Sequence, residues 1–179
     1  MKFSFPVPAH TEPPPELLRP PRGSYIAFTL LVAVVFNLVS LPDLISQVKP
    51  DFVALIIVYW SLHSPYRLGY IVVWLLGLVM DIASGAWFGQ HALTYTLLLY
   101  LSTVFQRRIT MFPLIYQVFH VGTLLLVIQL VTPVLRLMGD EDFPGFPYFL
   151  PTLIGALLWP LVITSLRAPM RQVTDQTPA

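Results

Sequence analysis

Residues 109–135 read ITMFPLIYQVFHVGTLLLVIQLVTPVL, a run of 27 uncharged positions bounded by Arg108 and Arg136. A helix that crosses the hydrocarbon of a bilayer needs about 20 consecutive apolar residues. Residues 113–135 supply them. Carried outward, the same search finds further gaps between charges. Arg22 to Asp43 encloses 20 uncharged residues, Asp142 to Arg167 encloses 24, and Asp81 to Arg107 encloses 25. These gaps predict spans at 24–41, 91–105, 113–135 and 148–166, the second of them preceded by the turn-like stretch Ser84 to Gly89. Two shorter stretches, Phe52 to His63 and Leu68 to Ala83, read either as tilted short helices or as a re-entrant pair, and the second takes Asp81 inside it. Two spans are preferred, because Arg67 lies between them and is costly to bury. The reading is an all-α integral membrane protein with six transmembrane helices.

The rest of the composition agrees. Of 179 residues, 56% are hydrophobic and 11% charged, with a mean hydropathy of +0.73, whereas a soluble domain carries about 25% charged residues. The net charge of +1 offers no basic field for nucleic acid. The absence of cysteine excludes disulfides and thiolate chemistry. With both termini in the cytoplasm, Lys2, Arg19, Arg22, Arg67, Arg107, Arg108, Arg167 and Arg171 fall inside, and of the ten Lys/Arg only Lys49 and Arg136 fall outside. Residues 1–22 hold seven of the 18 prolines and read as a disordered or polyproline II cytoplasmic tail, not a signal peptide. Residues 23–168 form the membrane domain and 169–179 a short cytoplasmic tail.

No catalytic constellation is legible. The four histidines form no metal-ligand pair, neither His-Glu-x-x-His nor Gly-x-Ser-x-Gly occurs, and Asp81 is the one acid within the hydrocarbon part of a span. No enzyme, metal or cofactor is expected. The acidic run Asp140-Glu141-Asp142 reads as a solvated loop. Asp81, Asn37 and Gln129 fall at similar depth in the outer third of their helices. They read as a buried polar cluster that joins helices or lines an outward pocket, or, for Asp81, as a side chain that snorkels or caps the end of its own helix. Gly69, Gly77 and Gly85 are candidates for close helix contacts. Tyr59-Trp60, Tyr66, Tyr70, Trp87 and Tyr148 are expected as interfacial anchors. Gln117 and His120 are expected to hydrogen-bond to neighbours, and Pro133 and Pro160 to kink helices or mark packing sites.

The order of short motifs carries a resemblance. Lys49-Pro50-Asp51-Phe52, then Tyr59-Trp60, Pro65 and Arg67, then Gly77, Asp81-Ile82-Ala83-Ser84-Gly85 and Gly89, resembles the signature stretch of the rod shape-determining MreD family. Leu158-Trp159-Pro160, followed by Arg167 and Arg171, matches the family's close. The likeness covers roughly residues 25–168; the tail before Arg22 and the loop 140–142 stand outside it. The family-matching positions are Pro50, Asp51, Tyr59, Trp60, Asp81, Ser84, Gly85, Gly89, Trp159 and Pro160.

The resemblance implies a non-enzymatic scaffold in the bacterial inner (cytoplasmic) membrane, part of the cell-elongation complex that organises peptidoglycan synthesis and maintains cell shape. It implies MreC as partner, with RodA, the elongation transpeptidase and MreB in the wider complex. It also implies a fold similar to the substrate-binding S-components of energy-coupling-factor transporters. The alternative is a membrane ligand-binding or transporter subunit with an outward pocket near Asn37, Asp81 and Gln129; a lipid-handling enzyme is disfavoured by the shortage of intramembrane charge.

Overall fold

The computed structural model describes residues 21–39, 42, 48–138 and 145–168, without the side chains of 135 and 136. The proline-rich segment, the acidic run 140–142 and the tail from 169 lie outside the described residues. Among the described residues all regular structure is helical. The helices are α1 (Gly23–Leu38), α2 (Phe52–His63), α3 (Tyr70–Ser84), α4 (Gln90–Met111), α5 (Leu114–Met138) and α6 (Leu150–Arg167), and a 3-10 turn, Phe146–Phe149, leads into α6. Among the described residues six α-helices stand where six membrane helices were expected, two of them long and apolar enough to cross a membrane. Helix α4 runs past Arg107 and Arg108, further than the expected 91–105, because a charge ends an apolar span without ending a helix.

Two segments, Leu114–Val134 and Phe146–Arg167, are long and apolar enough to cross a membrane, and only 28% and 33% of them is buried. A soluble core helix would hide its apolar surface. These helices display it, with Phe119 79% and Leu157 74% exposed. Phe28, Leu31, Ile71 and Ile82 extend the apolar exterior over α1 and α3.

Helix α2 is the axis. Nine of its 12 residues are buried, and it packs against α1, α4 and α6, while α3 lies against α4, and α5 against α4 and α6. At 1.5 Å per residue it is about 18 Å long. Because every side of α2 faces protein, Tyr59 and Trp60 are fully buried, which corrects their assignment as interfacial anchors. Trp60 Nε1–H donates to Thr29 Oγ1 at 2.9 Å, and the two rings meet edge to face at 5.0 Å. Tyr66 is fully exposed, and Tyr70 and Trp87 are about half exposed.

Consecutive helices run in opposite directions. One end of the bundle gathers the C-termini of α1, α3 and α5 with the N-termini of α2, α4 and α6, as shared lining of a single cavity requires. At the other end Arg167 Nη2 lies 2.9 Å from His63 Nε2, and the Tyr25 hydroxyl donates to the Leu166 carbonyl at 3.3 Å. Since Asp51 at the start of α2 stands at the first end and His63 at the second, α2 runs from end to end. The Arg67 turn then lies at the Arg167 end, against a re-entrant hairpin.

Candidate functional site

The motif Asp81 to Gly89 folds as one unit around a carboxylate. Asp81 is in the last turn of α3, 1% exposed. Helix α3 stops because Gly85 takes a left-handed conformation (φ 65°), and the Ala86 N–H returns to the Asp81 carbonyl at 3.2 Å. Gly89, at φ 95°, reverses the chain into α4. The first amides of α4 thereby meet the Asp81 side chain: Gly89 N–H donates to Oδ2 at 2.8 Å and His91 N–H to Oδ1 at 2.7 Å. The His91 ring adds Nδ1–H to Oδ1 at 2.8 Å. Because the carboxylate only accepts, Nδ1 carries the proton in this bond. Asp81 thus caps the N-terminus of the following helix, where a negative charge also meets the positive end of the helix dipole.

Gly77 makes this approach feasible. It lies one turn before Asp81 on the same face of α3, and a Cβ there would stand 2.3 Å from Ala92 Cα. Gly69 and Gly85 have nothing within 4 Å of such a Cβ, so of the three glycines expected at close contacts only Gly77 makes one. Gly85 serves the turn.

A second carboxylate joins three helices. Asp51 caps its own helix, accepting the Ala54 N–H at 3.0 Å on Oδ1. The same oxygen accepts Asn37 Nδ2–H from α1 at 2.7 Å, and Oδ2 accepts the Tyr95 hydroxyl from α4 at 2.8 Å. Asn37 Oδ1 in return accepts the Phe52 N–H at 3.0 Å. Lys49 completes the corner by donating Nζ–H to the carbonyls of Asn37 and Val39, both at 2.8 Å, which caps the C-terminus of α1. The Lys49-Pro50-Asp51 motif is therefore a helix junction.

Between these two carboxylate clusters opens a cavity of about 270 Å³. Ala54, Met80, Leu125, Ile128 and Gly155 give it apolar lining, and Asn37, Asp51, His91, Tyr95, Gln129 and Thr152 give it polar lining. Gln129 Nε2–H donates to the Tyr148 carbonyl, and Gln90 Nε2–H to Thr132 Oγ1 at 3.3 Å. Asn37 and Gln129 thus face one cavity, while Asp81 stands behind His91 and bonds to neither. No hydrogen bond joins any two of Asn37, Asp81 and Gln129; each ties its own pair of elements.

The remaining singled-out residues are structural in their contacts. Ser84 Oγ–H returns to the Met80 carbonyl at 2.7 Å. Trp159 is fully buried, with Nε1–H 3.4 Å from Gln117 Oε1, and Gln117 Nε2–H donates to the Phe112 carbonyl. Pro160 lies inside α6 and Pro133 inside α5. Pro50 is buried and lines the cavity near Gly155. His91 and Tyr95 carried no role in the sequence reading. Their spacing of four places both on one face of α4, toward the two acids, and that pairing is the signal a search for acid partners would have used. Among the described residues no group of three or more His, Asp or Glu is placed to hold a metal.

Fold and site together define an all-helical protein with an apolar exterior, whose inward polar groups tie helix ends to one another. The chain belongs to the MreD family: the family model for the rod shape-determining protein MreD matches residues 22–168. Rod shape-determining protein MreD of Haemophilus influenzae is 27% identical over 150 residues, which cover 82% of this chain and 93% of that protein. No solved structure gives a significant match. The chain is thereby tied to rod shape determination and to a family of membrane proteins.

Proposed function

We propose that this chain is a non-enzymatic scaffold of the cell-elongation complex, a six-pass protein of the bacterial inner membrane that binds MreC and thereby helps organise peptidoglycan synthesis. The observation that carries the reading is the use of two acids, the buried Asp81 and the half-buried Asp51. Asp51 and Asp81 each accept at least three hydrogen bonds from helix ends and neighbouring side chains, so both carboxylates serve as ties between helices. They make a rigid platform, as a scaffold needs. The apolar exterior of α3, α5 and α6 gives a partner's transmembrane helix a surface to pack on. Both termini are read as cytoplasmic, because Arg22, Arg67, Arg107, Arg108 and Arg167 belong to one end of the bundle and the cavity opens at the other. The six-helix plan is read as that of the energy-coupling-factor S-components.

The test is a detergent pull-down of the full chain co-expressed with the MreC-like protein of its own genome. A parallel sample carries MreC with its transmembrane helix replaced. A complex that depends on that helix supports the scaffold; recovery of no complex overturns it. A second reading, a ligand-binding membrane subunit, rests on the cavity bounded by Asn37 and Gln129.

A further inference from the structure

The apolar helices on the outside of the bundle are not of one length. Helix α1 has 16 residues and α3 has 15, about 24 and 22 Å at 1.5 Å per residue. Both turn apolar side chains outward along that length: Phe28, Leu31 and Phe36 on α1, and Ile71, Val79 and Ile82 on α3, are each more than half exposed. The apolar segment of α5, Leu114–Val134, has 21 residues, about 31 Å. Helix α1 packs against α2 and α3, whereas α5 packs against α4 and α6. The short wall and the long wall therefore occupy different parts of the perimeter.

Polar groups close the short wall at both ends. Helix α1 begins after the exposed Arg22 and ends where the Lys49 ammonium lies 2.8 Å from the carbonyls of Asn37 and Val39. Helix α3 begins after the turn that exposes Arg67 and ends at Gly85, where the chain leaves the helix with Ser84, Gly85 and Trp87 exposed. Tyr70 and Trp87, each about half exposed, set an aromatic ring at either end of α3, as residues at headgroup level do. Irregular backbone that faces lipid is not tolerated inside the hydrocarbon. Tilt only shortens the thickness a helix covers, so the helix lengths are upper limits. The axis of the bundle agrees, since α2 runs from Asp51 to His63 in about 18 Å. We propose that the bilayer beside α1 and α3 is thinned to about 24 Å or less, against about 30 Å elsewhere, so that this face selects phospholipids of short acyl chain while α5 meets lipid of ordinary length. This rests on the six-pass reading and is independent of the partner.

The test reconstitutes the full-length protein in vesicles that mix brominated dioleoyl phosphatidylcholine, a quencher of tryptophan, with an unbrominated competitor: dimyristoleoyl, dioleoyl or dierucoyl phosphatidylcholine. Of the four tryptophans, Trp60 and Trp159 are fully buried. Trp87→Phe therefore leaves Trp74, 47% exposed, to report the α3 face. Trp74→Phe with Trp87→Phe and Phe119→Trp moves the reporter to the α5 face, again about one turn into a helix that starts at the Arg167 end. Relief of quenching reads how well each competitor occupies the face. At Trp74 the dimyristoleoyl lipid is expected to compete about threefold better than the dioleoyl lipid, because each ångström of mismatch costs a fraction of a kcal/mol. In the Phe119→Trp protein the dioleoyl lipid is expected to compete at least as well as the shorter one. The same chain-length preference at both reporters overturns the thinned face and leaves the six-pass reading intact. Quenching in the Phe119→Trp protein with none at Trp74 means that protein, not lipid, covers α3, and overturns the proposal. No quenching at either reporter overturns the six-pass reading with it.

Discussion

Gly77→Ala is the sharpest test of how α3 and α4 are joined. The added Cβ would lie 2.3 Å from Ala92 Cα, 2.5 Å from Ala92 N and 2.7 Å from His91 C. All three are backbone atoms of the first turn of α4, so no side chain can rotate out of the way. Reaching ordinary contact at 3.4 Å requires the helices to part by about 1 Å. One turn along, the same movement stretches the bonds from Gly89 N–H and His91 N–H to Asp81, now 2.8 and 2.7 Å, beyond hydrogen-bonding range. Overpacking costs about 1–3 kcal/mol and a lost bond to a charged acceptor about 1.5–3 kcal/mol, so the expected destabilisation is about 4 kcal/mol. The assay is reversible unfolding in mixed micelles, followed by tryptophan fluorescence, with Gly69→Ala as the control in open space. The double variant with Asp81→Asn decides the mechanism. If the parted helices have already lost the cap, the second substitution adds little to the first. A Gly77→Ala protein within about 0.5 kcal/mol of the parent, or strict additivity with Asp81→Asn, would refute the coupling of glycine to carboxylate.

Three further outcomes follow from the geometry. Tyr95→Phe leaves Asp51 Oδ2 without its 2.8 Å donor and is expected to lower stability by about 1–3 kcal/mol in the same unfolding assay. Gly89→Ala forces a side chain onto φ 95° and is expected to cost about 1–2 kcal/mol; the empty space around that Cβ means that a smaller loss would question the turn itself. The chain contains no cysteine, so Tyr66→Cys and Phe88→Cys, at positions 101% and 76% exposed, are single reporters of opposite ends of the bundle. A membrane-impermeant maleimide applied to intact spheroplasts is expected to label Phe88→Cys and spare Tyr66→Cys; the reverse pattern inverts the orientation.

Much of the fold was legible because membrane helices announce themselves by missing charges, and each of the six expected stretches holds a helix. The ends were less legible. Arg107 and Arg108 bounded the apolar part of α4 but not its backbone, which continues to Met111. Tyr59 and Trp60 misled because the interfacial rule presumes a helix that touches lipid, and α2 touches almost none. Asp81 stood out as an acid inside a span, yet its bonds run to amides of the next helix, which no count along its own helix reveals. Its reach depends on two glycine dihedrals and on the missing Cβ of Gly77. Asp51 was noted only through the family motif. Its link to Tyr95 spans 44 positions, too far for any periodicity to show.

The brevity of α2 has a consequence for how the protein is made. Twelve residues, about 18 Å of helix, fall well short of the roughly 30 Å that a lone segment must cross. Helix α2 is therefore too short to span a bilayer by itself and depends on its neighbours for its surroundings. The hydroxyl that satisfies Asp51 arrives only with α4, and the Arg167 that meets His63 arrives with the end of α6. The packing around the central helix is thus complete only when α4 and α6 are both in place.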